Sequence, residues 1–305
     1  MHFLPSDDHT PNTPIPYPKH PYSIPQTPPF NTPGTYIILL HDFDNINSMR
    51  FSFLAVLFLS PGLFAIEPPS AGLPRLSGFC CSISTLSNVG FISGYSSAHG
   101  QPAWVFHEIR SPVFKSKRSG NFRSDSRLMF PIPPSVFNRS GFDRGHLAPA
   151  HDIGAVYGSV AQRESFLMSN ISPQGPTLNR TIWRNIESWC WSTFSTSTTT
   201  AVVFSGPIFD KNKTFLGRSS VELPDAFFKV ILYQSNDHLH MVAFVVPANA
   251  SSKEIASYIS TVDRVEEITG FDFFPSIPLD TQIALESSRG VISTFVRKKL
   301  VSRRR

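Results

Sequence analysis

The amino-acid sequence predicts an α+β fold in one domain that runs from residue 67 to residue 296. Segments with strand composition and segments with helical periodicity follow one another without a regular βαβ order, which argues against a doubly wound parallel sheet. Hydrophobic residues make up 41% of the 305 residues, which is enough for a substantial core. The sequence shows no internal repeats.

Aromatic and β-branched runs predict the strands, and apolar residues at spacings of three and four predict the helices. The strands cover residues 89–95, 103–109, 201–204, 226–232 and 239–246. The first two are expected to form a hairpin, followed by a basic loop over residues 115–123. The helices cover residues 159–168, 178–191 and a last pair between Ser252 and Gly270, where the glycine ends the second helix.

The first 66 residues are predicted to lie outside the domain. Residues 1–48 hold ten of the 27 prolines, so they are either disordered or the product of a start codon placed too far upstream. Residues 49–66 resemble a secretory signal peptide, because Arg50 precedes an apolar run and small residues follow it. The alternative is a buried core segment. The run is too short to cross a bilayer as a helix, and no membrane span is expected in the mature chain.

Charge and cysteine content restrict the kinds of binding site and cross-link that the chain can contain. The net charge is +5, and residues 297–305 form a tail with six basic side chains, which either binds polyanions or is simply solvated. Only three cysteines occur and Cys80 is adjacent to Cys81, which excludes a disulfide framework, although one bridge to Cys190 stays open. No Cys-x-x-Cys pair is present, which argues against a thiolate zinc site.

The first motif with catalytic chemistry is Asp-Arg-Gly-His at residues 143–146. A histidine with a pKa near neutrality serves as a general base, and an arginine stabilises charge that develops on phosphate oxygens. We expect Gly145 to let the backbone bend tightly between Arg144 and His146. These residue types together favour phosphodiester hydrolysis.

The second motif places Asn179, Trp183 and Glu187 at intervals of four. On an α-helix, Asn179 and Glu187 lie two turns apart on nearly one face, with Trp183 between them as core packing. An amide oxygen is a neutral hard ligand for Mg²⁺, an ion that keeps most of its waters. Glu187 is therefore better placed to hold a metal-bound water than to bind the ion directly.

Together with residues 168–174, the two motifs resemble the DNA/RNA non-specific endonuclease family, whose members are ββα-metal or His-Me finger nucleases. The resemblance continues at residues 204–208, 224–229 and 269–275. It covers roughly residues 85–280 in the order of the family. The resemblance implies a mixed, mainly antiparallel central sheet flanked by helices, with a ββα-metal finger at the active site.

The resemblance also implies the catalytic and metal-binding roles. His146 matches the general base, and Arg144 matches an arginine that faces the phosphate. Asn179 matches the sole direct protein ligand of Mg²⁺, for which Mn²⁺ is the expected substitute. Glu187 matches the acidic residue that steadies the water shell of the metal.

Further positions match residues around the substrate. Asn170 and Gln174 match polar residues that line the site. The upstream arginine that completes the site is expected to be Arg123, with Arg118 in the same loop as the alternative. Arg180 stands where the family usually has glutamine, and it either adds affinity for phosphate or points to solvent.

The predicted function is a Mg²⁺-dependent, sugar-non-specific endonuclease that cuts DNA and RNA to 5′-phosphate products, and a homodimer is compatible with the resemblance. The alternative is a catalytically lapsed nucleic-acid-binding or effector protein of the same fold. Asn179 also begins an N-glycosylation sequon, and a glycan there would consume the metal ligand. We therefore expect export to a periplasmic or secreted location by a route without glycosylation, or alternatively the mitochondrial intermembrane space.

Overall fold

The computed structural model describes residues 69–76, 82–115, 117–195, 200–209, 213–235 and 238–292. The predictions made for residues 1–48, 49–66 and 297–305, and for Cys80 and Cys81, lie outside the described residues. Cys190 is buried and forms no disulfide within the described ranges, and burial raises the pKa of its thiol to about 12. Among the described residues, no helix is both long and apolar enough to span a membrane.

The strands and helices are mixed along the chain. The strands are β1 (Arg75–Leu76), β2 (Ile83–Asn88), β3 (Phe91–Ser96), β4 (Gln101–Ile109), β5 (Asp143–His146), β6 (Ile171–Gln174), β7 (Ala201–Ile208), β8 (Ala226–Ser235), β9 (His238–Pro247), β10 (Ile259–Ser260) and β11 (Phe271–Asp272). The α-helices are α1 (Ala150–Glu164), α2 (Arg184–Phe194), α3 (Val262–Thr269) and α4 (Leu279–Glu286). A π-helical turn covers Leu178–Trp183, and short 3-10 turns cover Pro134–Phe137, Met168–Asn170 and Ile255–Tyr258.

Seven antiparallel strands form the central sheet, in the order β10-β9-β8-β7-β4-β3-β2. The predicted hairpin is β3 and β4, in which Phe91 lies opposite His107. Strand β4 then pairs with β7, so that Val105 lies opposite Ser205. Two small antiparallel sheets, β1 with β11 and β5 with β6, complete the described strands. The predicted class, α+β with a mainly antiparallel sheet, is confirmed.

Both faces of the central sheet are buried, because the described helices pack on both sides of it. On one face, which we call the α2 face, side chains such as Val203 and Phe244 pack against Trp189 of α2. On the other, the α3 face, Phe204 and Val230 pack against Val265 of α3. Side chains that alternate along each strand fill the two layers, as the pleat of a strand requires.

Two predicted helices have different bounds. The helix predicted over residues 159–168 begins at Ala150, directly after Pro149 in an extended conformation, and ends at Glu164. Gly158 breaks its regular geometry with φ 87° and ψ −175°, which only glycine adopts readily. The helix predicted over residues 178–191 starts as the π-helical turn and continues as α2 to Phe194. The glycine-ended helix is confirmed as α3, and Gly270 caps it in the left-handed conformation.

Replacing Phe204 by alanine should lower the free energy of unfolding by about 3–5 kcal/mol, since the ring is fully buried among other aromatic side chains. The matched control is Phe130→Ala on an exposed loop, expected to change stability by less than about 0.5 kcal/mol. Urea unfolding of both variants measures the difference. A loss below about 1 kcal/mol for Phe204→Ala would contradict this description of the core.

Candidate active site

The candidate site is a ββα unit made of β5, β6 and the helix that follows them. Strands β5 and β6 are antiparallel, with Asp143 opposite Gln174 and His146 opposite Ile171. Strand alternation places Arg144 and His146 on one side of β5 and Asp143 and Gly145 on the other. After Gly175 the chain enters the π-helical turn and then α2. The unit expected from the family resemblance is therefore present.

The π-helical turn improves the alignment of the two candidate metal-site residues. In a regular α-helix, the eight residues from Asn179 to Glu187 leave them about 80° apart around the axis. A π turn has roughly 4.4 residues per turn because its hydrogen bonds join residues five apart, which reduces the angle to about 10°. Asn179 and Glu187 thus share a face more closely than the sequence spacing alone predicts.

The carboxylate of Asp143 joins β5 to the start of this helix. Asn179 donates its Nδ2 to Asp143 Oδ2 at 2.9 Å. Arg180 donates Nε and Nη2 to the two carboxylate oxygens at 2.8 and 2.6 Å. Arg180 above all, and then Asn179, hold the pKa of Asp143 below its usual range. Because the nitrogen of the Asn179 amide is committed to Asp143, its Oδ1 is the end that is free to bind a cation.

His146 lies between two aromatic rings. Its ring centroid is 4.9 Å from that of Phe166 and 5.4 Å from that of Phe122, and its Nε2 is buried without a hydrogen-bond partner among the described residues. Burial, assisted by the charge of Arg118, lowers the pKa of His146 to about 3. The expected pKa near neutrality is therefore wrong for the free site. Without substrate, the imidazole is neutral throughout the physiological range.

Arg144 is held in place by acceptors on the preceding segment. Its Nε and Nη2 donate to the Pro134 carbonyl at 3.2 and 2.8 Å, and Nη2 also donates to Asn138 Oδ1 at 2.8 Å. The guanidinium lies over the ring of Phe122 at 5.4 Å. No described residue accepts from Nη1, so two of the five N–H groups remain for a ligand.

Glu187 lies above a group of buried charged residues. Burial raises its pKa to about 8, and Asp152 adds to the rise, whereas the charges of Lys229 and His151 oppose it. Lys229 is 1% exposed, donates to Ser205 Oγ at 2.6 Å and lies 4.6 Å from the centre of the Trp183 ring. Trp183 is packed in the core as expected, and its indole N–H faces the Glu187 carboxyl closely enough to lower the pKa of that group.

Comparison with known proteins decides the family. The DNA/RNA non-specific endonuclease family matches the chain over residues 78–280. The chain belongs to this family. It is 28% identical over 207 residues to a nuclease of Nostoc sp., covering 63% of this chain and 74% of that protein. It is 26% identical over 225 residues to human mitochondrial endonuclease G, covering 68% and 72%. The chain is therefore a hydrolytic nuclease.

A solved structure of a complex between EndoG and EndoGI supports the same conclusion. It matches with a TM-score of 0.58 at 27% identity, over 68% of this chain and 90% of that chain. Another relative, nuclease C1 of Cunninghamella echinulata, is 28% identical over 216 residues, covering 64% of this chain and 84% of that protein.

Asn170 and Gln174 of this nuclease are both fully buried, but they differ in their partners. Asn170 accepts from the Ala148 amide at 2.9 Å and donates to the Ala148 and Ser165 carbonyls at 3.0 and 2.8 Å. A side chain without exposed surface cannot reach the substrate, so Asn170 instead braces the turn after His146. The amide of Gln174 has no partner among the described residues.

Gly145 is needed for a reason other than the expected tight bend. Its φ lies outside the left-handed region, and it sits within the regular strand β5. A Cβ at this position would lie 2.2 Å from Gln174 Oε1 and 2.4 Å from Gln174 Cδ. Gly145 therefore makes room for the Gln174 side chain, which packs across the strand pair.

The three remaining arginines have distinct surroundings. Arg118 lies over the Phe166 ring at 5.3 Å, and its charge reaches His146. Arg123, the preferred candidate from the sequence, donates Nη1 to the Arg163 carbonyl at 2.6 Å. Arg180 is paired with Asp143 while 68% of its side chain stays exposed, so its first role is to hold that carboxylate.

Sequence reasoning missed several members of the site. No catalytic or binding role was predicted for Asp143, His151, Asp152 or Lys229. His151 Nδ1 lies 3.0 Å from Asp152 Oδ1, which raises the pKa of His151, whereas burial raises that of Asp152. Lys229 is the single charged residue in the otherwise apolar strand of residues 226–232, and this position could have indicated a buried charge.

Replacing Gly145 by alanine should reduce nuclease activity about 100-fold, since the new Cβ displaces Gln174 and shifts the strand that carries His146. The double variant Gly145→Ala, Gln174→Ala should recover part of the loss, because the overlapping atoms are gone. Gly175→Ala is the matched control, as its Cβ would meet only the Ala248 carbonyl at 3.9 Å. Equal activities of Gly145→Ala and Gly175→Ala would refute the packing argument.

The depressed pKa of His146 should make stability fall with acidity. Between pH 6.5 and pH 3 the unfolded chain binds a proton at this residue and the folded chain does not, so the free energy of unfolding decreases as the pH falls. From pH 7 to pH 5, wild type should lose about 2 kcal/mol more than His146→Gln. Urea unfolding in EDTA at both pH values measures this, and equal losses in the two proteins would contradict it.

Proposed function

We propose that this nuclease is a Mg²⁺-dependent, sugar-non-specific endonuclease that hydrolyses phosphodiester bonds of DNA and RNA to 5′-phosphate products, with Mn²⁺ able to replace Mg²⁺. One observation carries the proposal. A single strand, β5, bears a neutral imidazole at His146 and a carboxylate at Asp143 that orients the amide of Asn179. Asp143 thereby holds together a proton acceptor on β5 and a neutral oxygen ligand at the start of the following helix.

The residues fit a hydrated Mg²⁺ ion. Asn179 offers the free Oδ1 of an oriented amide, and Glu187 offers a carboxylate on the same face of the helix. An ion that keeps most of its waters needs only one direct protein ligand, and Glu187 would hold one of those waters. When bound, the ion supplies electrostatic stabilisation to the departing 3′ oxygen. A nearby cation also favours the ionised form of Glu187, whose pKa is raised in its absence.

His146 acts as the general base. At neutral pH its imidazole is already unprotonated, so it accepts the proton of the attacking water without first losing one of its own. Binding of the phosphodiester beside it places a negative charge near the ring and raises its pKa towards the value that proton transfer needs. The walls formed by Phe122 and Phe166 keep the ring in one orientation.

Arginine side chains bind the phosphate. Nε and Nη2 of Arg144 are held by hydrogen bonds, so its two Nη1 hydrogens are available for a phosphate oxygen. The planar guanidinium group suits the geometry of phosphate oxygens. Of the two loop arginines, Arg118 is favoured as the second phosphate-binding residue because its charge acts on His146, and Arg123 is the alternative. Contacts to phosphate read neither the base nor the 2′-hydroxyl that distinguishes RNA from DNA, which supports action on both nucleic acids.

The proposals on location and assembly rest on the sequence. We propose export to the periplasm or the medium on the pattern of residues 49–66. The alternative is the mitochondrial intermembrane space, since the related human endonuclease G is a mitochondrial protein. The Asn179 amide nitrogen is bound to Asp143, so a glycan at this sequon would break the site. Homodimer formation is proposed from the family resemblance alone.

The test is cleavage of plasmid DNA and of RNA by the full-length chain. In Mg²⁺ the wild type should cut both, and EDTA should abolish cleavage. His146→Ala and Asn179→Ala should each lose at least about 100-fold in rate, since each lacks one essential group. Ligase should reseal nicked plasmid without prior kinase treatment, because the breaks carry 5′-phosphates.

The matched controls are His238→Ala and Asn249→Ala, which remove the same residue types from exposed positions and should keep wild-type rates. Binding of Mn²⁺, followed by electron paramagnetic resonance, should be weakened by Asn179→Ala and kept by His146→Ala. Undiminished cleavage by both site variants would refute the mechanism. A wild-type protein that binds nucleic acid without cutting it would instead identify a catalytically lapsed family member.

A further inference from the structure

Three carboxylates meet where α3 and α4 come together, on the α3 face of the sheet and away from the ββα unit. Asp263 and Glu266 lie on α3, and Glu286 is the last residue of α4. One carboxylate oxygen from each residue lies within 4.8 Å of the other two. Asp263 is exposed and Glu266 is half-buried, so the group opens to solvent on one side.

Glu286 is the unusual member of this group. It is 5% exposed, and its Oε1 is buried without a hydrogen-bond partner among the described residues. Burying a carboxylate oxygen without a partner costs free energy, and the carbonyl end of a helix adds an unfavourable negative potential. The Glu286 side chain is thus buried, its Oε1 has no partner, and one of its oxygens lies close to two further carboxylates, which points to a cation among them.

The described neighbours do not supply that cation. Arg264 pairs with Glu267 instead. The amide of Gln282 donates to Asp272 Oδ1 and the Phe273 carbonyl, each at 3.0 Å. In the described ranges no ion pair joins any of the three carboxylates to a lysine or arginine.

We propose that Asp263, Glu266 and Glu286 bind a Ca²⁺ ion that fastens α4 to α3. Oxygen ligands without nitrogen or sulfur select hard cations. Ca²⁺ takes about six to eight oxygen ligands at roughly 2.3–2.6 Å in a flexible geometry, whereas Mg²⁺ demands a near-ideal octahedron at roughly 2.0–2.1 Å. Three carboxylates from two helices suit the less demanding geometry of Ca²⁺, and water completes its coordination on the exposed side. Its role is structural and separate from the metal of the active site.

The experiment measures thermal unfolding of the full-length chain with and without 5 mM Ca²⁺ (an amount chosen to be about tenfold above a dissociation constant of roughly 0.5 mM). All variants carry Asn179→Ala, which removes the active-site ligand. The parent should gain about 2–4 °C in Tm. Glu286→Gln and Asp263→Asn should lose this gain. Glu267→Gln, the matched control on the same helix, should keep it, because Glu267 pairs with Arg264 outside the group.

Calorimetric titration with Ca²⁺ should give one site per chain in the Asn179→Ala parent and none in Glu286→Gln. Asp263 is exposed, so Asp263→Asn folds and decides the question if Glu286→Gln does not. The proposal is overturned if the parent gains no stability and binds no Ca²⁺, or if Asp263→Asn keeps the full gain and the full affinity. Cleavage of nucleic acid does not enter either readout, so these outcomes are independent of the proposed catalytic function.

Discussion

The hydrogen bonds to Asp143 are the interaction on which the candidate site depends. This carboxylate takes one bond from Asn179 and two from Arg180, and so ties a four-residue strand to the first turn of a helix more than thirty residues away in sequence. The same bonds decide which end of the Asn179 amide is free. Without Asp143, the amide could turn over and present its nitrogen, which binds no cation. Arg180, which departs from the family pattern, reinforces this arrangement.

Packing beneath the site serves the same alignment. The π-helical turn brings Asn179 and Glu187 to one face, and Trp183 packs that turn against the buried ammonium of Lys229 on β8. A buried positive charge next to Asp152 and Glu187 partly offsets the cost of holding two carboxyl groups inside the protein. The polar residues below the site are thus part of its electrostatics as well as its packing.

Much of the architecture could be predicted from local patterns. The β3–β4 hairpin, strands β7 to β9 and the Gly270 cap each have a signal within a few residues, and the spacing of Asn179 and Glu187 is itself a local signal. Features that depend on distant residues could not be predicted. Strand β1 forms by pairing with β11, in which Arg75 lies opposite Asp272. The start of α1 could not be predicted because Gly154 and Gly158 lower the helix propensity of that segment. The lowered pKa of His146 depends on its burial between Phe122 and Phe166, which are distant from it in sequence.

The pairing of β4 with β7 also governs when the site comes into existence. Strands β5 and β6 and helices α1 and α2 all lie in the segment of chain between Ile109 and Ala201, which this pairing closes into a loop. Closing so long a loop costs entropy before any contact compensates for it, and such pairings form slowly. The nuclease therefore acquires its catalytic geometry late in folding. An incompletely folded chain, in which this pairing has not formed, therefore has no assembled site.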